Sequence, residues 1–176
     1  VEKKGIAYAL EALALIAEHQ RPHLDIVGQG PSQKQLHNLI KKLKLEAFVR
    51  LLGYRSPHWI AQKGANYDGF VAPFCVSEDG DRDSGPVVLK EAMAMGLPVI
   101  TSDVMGCSDI VTEDTGYIVA SKDVIALKLA IEALIQCQNN VREQMRILAR
   151  QRVEQYFNAQ VQARRLSHLI EGASVK

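Results

Sequence analysis

The chain has 176 residues and a mass of 19.5 kDa, the size of one domain. Apolar residues make up 47% and charged residues 23%, ordinary globular usage that excludes a disordered chain and supplies enough apolar material for a core. The net charge of +1 gives no overall field for nucleic acid or anionic lipid, and no apolar run approaches the roughly eighteen residues that span a bilayer.

The opening Val1-Glu2-Lys3-Lys4-Gly5 has no initiator Met and no apolar signal-peptide core, and it reads as cut from something longer. Ile6, Leu10, Leu13 and Ala17 mark a first helix. Leu24-Asp25-Ile26-Val27 is a short, mostly apolar strand, followed by Gly28-Gln29-Gly30-Pro31. Pro31 and Ser32 then open an amphipathic helix, with Leu36, Leu39, Ile40 and Leu43 on one stripe and Lys41, Lys42 and Lys44 opposite. Further short runs follow at Val49–Leu52, Gly69–Ala72, Pro98–Thr101 and Tyr117–Val119. Most are apolar throughout, as strands buried on both faces of a parallel sheet are. Val124, Leu127, Ile131 and Leu134 mark a later helix, for which Ser121 is the expected cap. After Asn139 two helices, about Val141–Gln155 and Asn158–Ile170, follow with no strand between them. The first carries Arg142, Arg146, Arg150 and Arg152 and the second Arg164 and Arg165, read as a solvated basic face. Strand, loop, helix, repeated, predicts an α/β fold: a Rossmann-like doubly wound parallel sheet flanked by helices, with two extra C-terminal helices, in a single domain over 1–176. Cys75, Cys107 and Cys137, widely spaced and without C-x-x-C, read as reduced thiols rather than a disulfide framework or zinc site.

In open α/β sheets ligands bind beyond the carboxyl ends of the strands, so the loops there are the places to look. Gly28 and Gly30 permit close backbone approach before a helix start that suits an anion; a plain tight turn explains them equally well. The long polar stretch Pro73–Pro86 leads into Val87–Pro98. Asp79, Asp81 and Asp83 alternate as in a calcium loop, but Ser84 stands where the sixth-position glycine belongs and Lys90 where the twelfth-position glutamate belongs. Asp81-Arg82-Asp83 also mimics the D-x-D of metal-dependent sugar transferases. Glu91 lies about one turn into a helix whose Leu89, Ala92 and Met93 face the core. Its carboxylate suits a vicinal diol such as ribose, or simply complements the helix dipole.

In order and spacing, Lys3-Lys4-Gly5, Val27-Gly28-Gln29-Gly30-Pro31, Leu52-Gly53-Tyr54, Asp83 with Glu91 eight positions on, and Glu91-Ala92-Met93-Ala94-Met95-Gly96-Leu97-Pro98-Val99 resemble the C-terminal, donor-binding domain of the group-1 retaining glycosyltransferases of GT-B fold, from Lys3 to about Phe157. The resemblance implies that Lys4 contacts the donor diphosphate, with an arginine partner that would precede Val1. It implies that Glu91 holds the ribose hydroxyls, Asp83 engages the transferred sugar, and the N–H groups of Val87 and Val88 face the diphosphate. Gly53, Tyr54 and Arg55 align with the lining of the nucleobase pocket, and Gly28, Gly30, Ser84 and Gly85 with donor-binding loops. Asp83 is a methylene shorter than the family's glutamate, Ser84 replaces a usual glycine, and Pro86 has no N–H to donate.

The implied activity of the intact protein is retaining transfer of a sugar from a nucleotide-diphosphate-sugar to a glycan or lipid-linked acceptor in polysaccharide biosynthesis. No cofactor and no metal is required. An absent N-terminal domain would hold the acceptor, and residues 158–176 would cross back to it. The 176-residue piece is expected to bind donor weakly and transfer nothing. The expected setting is cytoplasmic, with the intact enzyme at the inner membrane face when its acceptor is lipid-linked. His19, His23, His37, His58 and His168 match no catalytic position and read as structural or surface. A phosphorylase or epimerase of the same fold, and a non-catalytic sugar-nucleotide-binding or regulatory module, are the alternatives.

Overall fold

The computed structural model describes residues 1–104 and 106–173. A single turn at Glu2–Lys4 leads into α1 (Ile6–Leu15). Then come β1 (Leu24–Val27), α2 (Gln33–Lys42), β2 (Val49–Gly53), α3 (Pro57–Gly64), β3 (Phe70–Ala72), α4 (Val87–Ala94), β4 (Val99–Ser102), α5 (Cys107–Ile110), β5 (Gly116–Val119) and α6 (Val124–Gln136). Helices α7 (Asn139–Tyr156) and α8 (Ala159–Ala173) close the chain. The α/β alternation and the two terminal helices are as expected, and every strand pairing is parallel.

The ladder, however, is divided. β1 pairs with β2, Leu24 opposite Val49, and β3-β4-β5 form a separate sheet, Phe70 opposite Val99 and Val99 opposite Gly116. Helices bridge the two. Leu10 and Leu13 of α1 pack with Leu127, Ile131 and Leu134 of α6, with Val49 of β2 and Ile100 of β4 in the same cluster. A second cluster joins Leu89 and Met93 of α4 to Val99, Ile110 and Ala149.

Some local expectations need correction. Helix α1 stops at Leu15, short of Ala17, because Ile16 is already extended. The cap of α6 is Asp123, whose carboxylate accepts from the Ala126 N–H at 2.8 Å. Ser121 instead donates its N–H to Asp103 and its hydroxyl to the Phe74 carbonyl. Helix α3 is an element beyond those expected, and it carries its own start chemistry: Ser56 accepts from the Trp59 N–H and Pro57 occupies the first helical position.

The arginines of α7 are not a solvated face. Each reaches the carboxyl end of a different helix, where carbonyls lack intrahelical donors. Arg142 donates to the Ile135 carbonyl of α6 at 3.1 Å, and Arg146 to Ala65 and Tyr67 just beyond α3 at 3.0 and 3.1 Å. Arg150 donates to Ala94 of α4, and Arg152 to Asp109 and Ile110 of α5 at 2.8 and 2.7 Å. Arg21 does the same for α1. Its guanidinium donates to Leu13, Ala14 and Ile16 at 3.0, 3.0 and 2.8 Å while stacking over Phe48. Hydrogen bonds to a charged group are worth about 1.5–3 kcal/mol. Arg21→Ala should therefore lower stability by at least that amount, roughly 3–12 °C in Tm for a domain of this size. Arg21→Lys should recover little, because an ammonium cannot spread a fork over the same carbonyls. Urea midpoints measure both; an unchanged midpoint in Arg21→Ala would contradict the capping role.

Cys75 and Cys107 are buried free thiols, and burial pushes both above the ordinary thiol range.

Candidate functional site

The turn at Glu2–Lys4 is fastened to the loop after β3. The Cys75 N–H donates to the Lys3 carbonyl at 3.0 Å, and the Glu78 N–H to the Glu2 carboxylate at 3.3 Å. Lys3 pairs with Asp81 at 2.9 Å, which raises the lysine's pKa and lowers the aspartate's. Gly5 makes this approach possible. Its φ is +66°, and a Cβ there would lie 1.7 Å from the Pro73 carbonyl oxygen.

This clasp places Lys4 just past the carboxyl end of β3. Its ammonium sits 3.1 Å from Asp83 Oδ2, 3.3 Å from Oδ1 and 5.1 Å from the centre of the Phe74 ring. Asp83 Oδ2 is buried and makes no well-aligned hydrogen bond, so the Lys4 charge is its compensation. Of the alternating acids, Asp79 accepts from the Asp81 N–H, Asp81 takes Lys3 and Asp83 takes Lys4. They serve separate partners, and among the described residues no cluster of His, Cys, Asp and Glu has metal-site geometry.

A cavity of about 550 Å³ extends to the carboxyl ends of β1 and β3, and Lys4, Gly28, Gly30, Val88 and Glu91 all line it. Gly28, with φ +127°, donates its N–H to the Gly53 carbonyl at 2.8 Å, joining the loops after β1 and β2. No Cβ built at Gly28 or Gly30 would meet an atom within 4 Å, so both face open space. Helix α4 begins at Val87 after Pro86 without a side-chain cap, which leaves the first N–H groups, Val87 and Val88, without intrahelical acceptors. One turn on, Glu91 is exposed, while Leu89, Ala92 and Met93 on the same helix are buried. Among the described residues its carboxylate has no ion pair or hydrogen bond. The arrangement offers a cation, free N–H donors and an unpartnered carboxylate around one opening. Together these can hold a polyanion and a polyhydroxylated group side by side.

Other expected residues stand apart. Tyr54 is 62% exposed, its carbonyl taken by Arg55, and it does not line the cavity. Ser84 is exposed, and Gly85 packs against Gly106, where an added Cβ would come within 2.8 Å of the Gly85 nitrogen. Asp83 reaches the opening only through Lys4. His23 lies against Phe48 and lines the cavity near the amino end of β1, whereas His168, 3.9 Å from Glu171, is not part of it. Phe74 beneath Lys4 was not foreseen; a lone aromatic after a strand carries no signal of its own.

The family model "Glycosyl transferases group 1" matches residues 1–152. The "Putative colanic acid biosynthesis glycosyltransferase WcaL" of Escherichia coli K12 is 33% identical over 172 residues, and the amylovoran biosynthesis glycosyltransferase AmsK of Erwinia amylovora is 31% identical over 172 residues. Each alignment covers 97% of this chain and 42% of the relative, so the chain spans less than half the length of these relatives. The crystal structure of the pneumococcal O-GlcNAc transferase GtfA in complex with UDP and GlcNAc superposes with a TM-score of 0.77 at 22% identity, over 100% of this chain and 34% of that one.

Proposed function

The chain belongs to the group 1 glycosyltransferases, with the parallel α/β architecture of a GT-B half, and from that premise we propose that it is the donor-binding part of a retaining sugar transferase acting in polysaccharide biosynthesis. In this reading Glu91 accepts hydrogen bonds from the ribose hydroxyls of a nucleotide-diphosphate-sugar. Lys4 and the N–H groups of Val87 and Val88 take the diphosphate, and Asp83 turns from Lys4 toward the transferred sugar. The carrying observation is the exposed, unpartnered carboxylate of Glu91 at the opening that Lys4 also lines. Charge developing on the leaving diphosphate is met by fixed donors, the largest class of catalytic effect, and no metal is assigned a role. A glycan or lipid-linked acceptor is bound by the remainder of a longer protein. Among the described residues no helix is long and apolar enough to cross a membrane.

A thermal-shift panel of nucleoside diphosphates and their sugars tests the reading. A ligand at about a hundred times its Kd stabilises by about 2.7 kcal/mol, roughly 5–10 °C for this size. A shift with one base supports it. No shift with any, in a chain that melts cooperatively, counts against it, and turnover by these 176 residues alone would contradict the division of labour. The Lys4–Asp83 pair favours a second reading, a non-catalytic sugar-nucleotide module, because it already neutralises the cation. A longer protein that binds donor without turnover would decide for that reading.

Helix α8 belongs to the same proposal. Ala163, Leu166, Leu169 and Ile170 are exposed along it; residues 174–176 of the expected crossover lie outside the described residues. The stripe is assigned to packing on the rest of the longer protein. In the monomeric 176-residue chain the amides of 163–170 should exchange within the fast class typical of fraying helices; strong protection there would oppose the assignment.

A further inference from the structure

Lys4 lines the opening, but its charge already has a partner. Asp83 Oδ2 stands 3.1 Å from the ammonium and Oδ1 3.3 Å, while Asp83 itself does not line the cavity. Oδ2 is buried and has no hydrogen bond of its own. The carboxylate therefore depends on Lys4. A second anion that draws on the same ammonium leaves a buried charge undercompensated, which is costly.

The chain around Asp83 gives its carboxylate no room to follow the lysine or to retreat from it. Two residues before, Asp81 is tied to Lys3 at 2.9 Å, and its carbonyl accepts from the Ser77 N–H at 2.9 Å. Two residues after, Gly85, with φ +74°, lies against Gly106. A Cβ on Gly106 would stand 2.8 Å from the Gly85 nitrogen, so that side has no slack either. Lys4 is held in its turn by the clasp at Glu2–Lys4, with the centre of the Phe74 ring 5.1 Å from its ammonium. What stays free is rotation of the two side chains between rotamers. Rotation exchanges partners without moving the two charges far apart.

Two classes of ligand meet this arrangement differently. A diphosphate without a sugar brings only negative charge and acceptors to this point. It competes with Asp83 for Lys4 and sets like charges side by side, which costs affinity. A diphosphate esterified with a sugar also brings hydroxyl donors, and these satisfy the Asp83 oxygens while Lys4 turns to the phosphates. Resting on the donor reading above, we propose that Asp83 is a specificity-determining residue that works through Lys4: the ion pair admits a sugar-bearing diphosphate and disfavours the sugar-free one. Once the sugar is gone, Asp83 reclaims Lys4 and the nucleoside diphosphate loses its cation. The pair is thus a release device as well as a filter.

Isothermal titration of the 176-residue chain with uridine, guanosine and adenosine diphosphates, and with their hexose esters, tests the proposal. Asp83→Asn should bind the preferred nucleoside diphosphate about 5- to 150-fold tighter than the parent, the usual span of a coupling free energy. The hexose ester that the parent binds best should gain less or lose affinity, because its hydroxyls no longer meet a carboxylate. Asp81→Asn removes the same charge two residues away, from the Lys3 pair, and its gain should be well below that of Asp83→Asn. Should Asp83→Asn fail to melt cooperatively, Asp83→Ser carries the same comparison. Parent and variant chains that bind the diphosphate equally overturn the proposal, as do equal gains in the Asp83 and Asp81 variants or an equal gain for diphosphate and ester. In those three cases nucleotide binding itself upholds the donor reading. Binding of no nucleotide by any of the chains overturns both.

Discussion

Gly5→Ala should be severely damaging, lowering stability by about 4 kcal/mol or more, or roughly 8–16 °C in Tm. Two costs combine. At φ +66° an alanine pays about 1–2 kcal/mol for the left-handed conformation. Its Cβ would also stand 1.7 Å from the Pro73 oxygen, which is backbone and cannot swing aside as a side chain would. Relief requires moving either α1, whose Leu10 and Leu13 sit in the core and whose Ala9 N–H bonds to the Gly5 carbonyl, or the strand end at Pro73. Either movement opens the Cys75–Lys3 hydrogen bond and carries Lys4 from Asp83, so any anion binding at the opening is lost with the stability. Gly30→Ala is the control. Its φ is not positive and nothing lies within 4 Å of its Cβ position, so its stability should stay within about 0.5 kcal/mol of the parent. Denaturant melts of the two variants side by side decide the matter; equal midpoints would mean that the clasp between Gly5 and Pro73 does not hold the N-terminal turn.

Why Gly5 was legible only as part of a motif shows where sequence reasoning reaches and where it stops. Short apolar runs mark the strands: Val99-Ile100-Thr101 of β4 is buried at every position, as a strand covered on both faces of a parallel sheet is. The face of α4 was equally legible: Leu89, Ala92 and Met93 are buried and Glu91 is exposed, as spacing alone requires. The arginines of α7 were not. An Arg on a helix surface looks the same whether it faces water or the Ala65 and Tyr67 carbonyls, since its acceptors come from distant segments and are backbone atoms common to every residue. The division of the ladder was also invisible, because strand order depends on which edges meet, and local composition does not encode it. For the site, Lys4, Gly28, Gly30, Val88 and Glu91 of the motif line one cavity, whereas Tyr54 is exposed and does not line it. Helix α3 is legible from local residues alone, since Ser56-Pro57 is helix-start chemistry.

Glu91→Ala is the second large effect, and it separates binding from folding. Glu91 is exposed and, among the described residues, its carboxylate has no ion pair or hydrogen bond, so its removal should leave the unliganded stability within about 0.5 kcal/mol of the parent. Bound nucleotide is another matter. Each hydrogen bond from a ribose hydroxyl to an ionised carboxylate is worth about 1.5–3 kcal/mol, or about 10- to 150-fold in Kd. With both hydroxyls engaged, the variant should show no thermal shift at ligand concentrations that move the parent by several degrees. Glu91→Gln keeps the size and one acceptor oxygen but loses the charge, and should fall between the two. A 2′-deoxy nucleotide supplies the complementary deletion. If Glu91 and the 2′-hydroxyl meet, removing either should cost affinity, and removing both should cost little more than removing one. Additive losses in that cycle would place the ribose elsewhere and leave Glu91 as a helix-terminal charge, worth only about 0.3–1 kcal/mol through the dipole of α4.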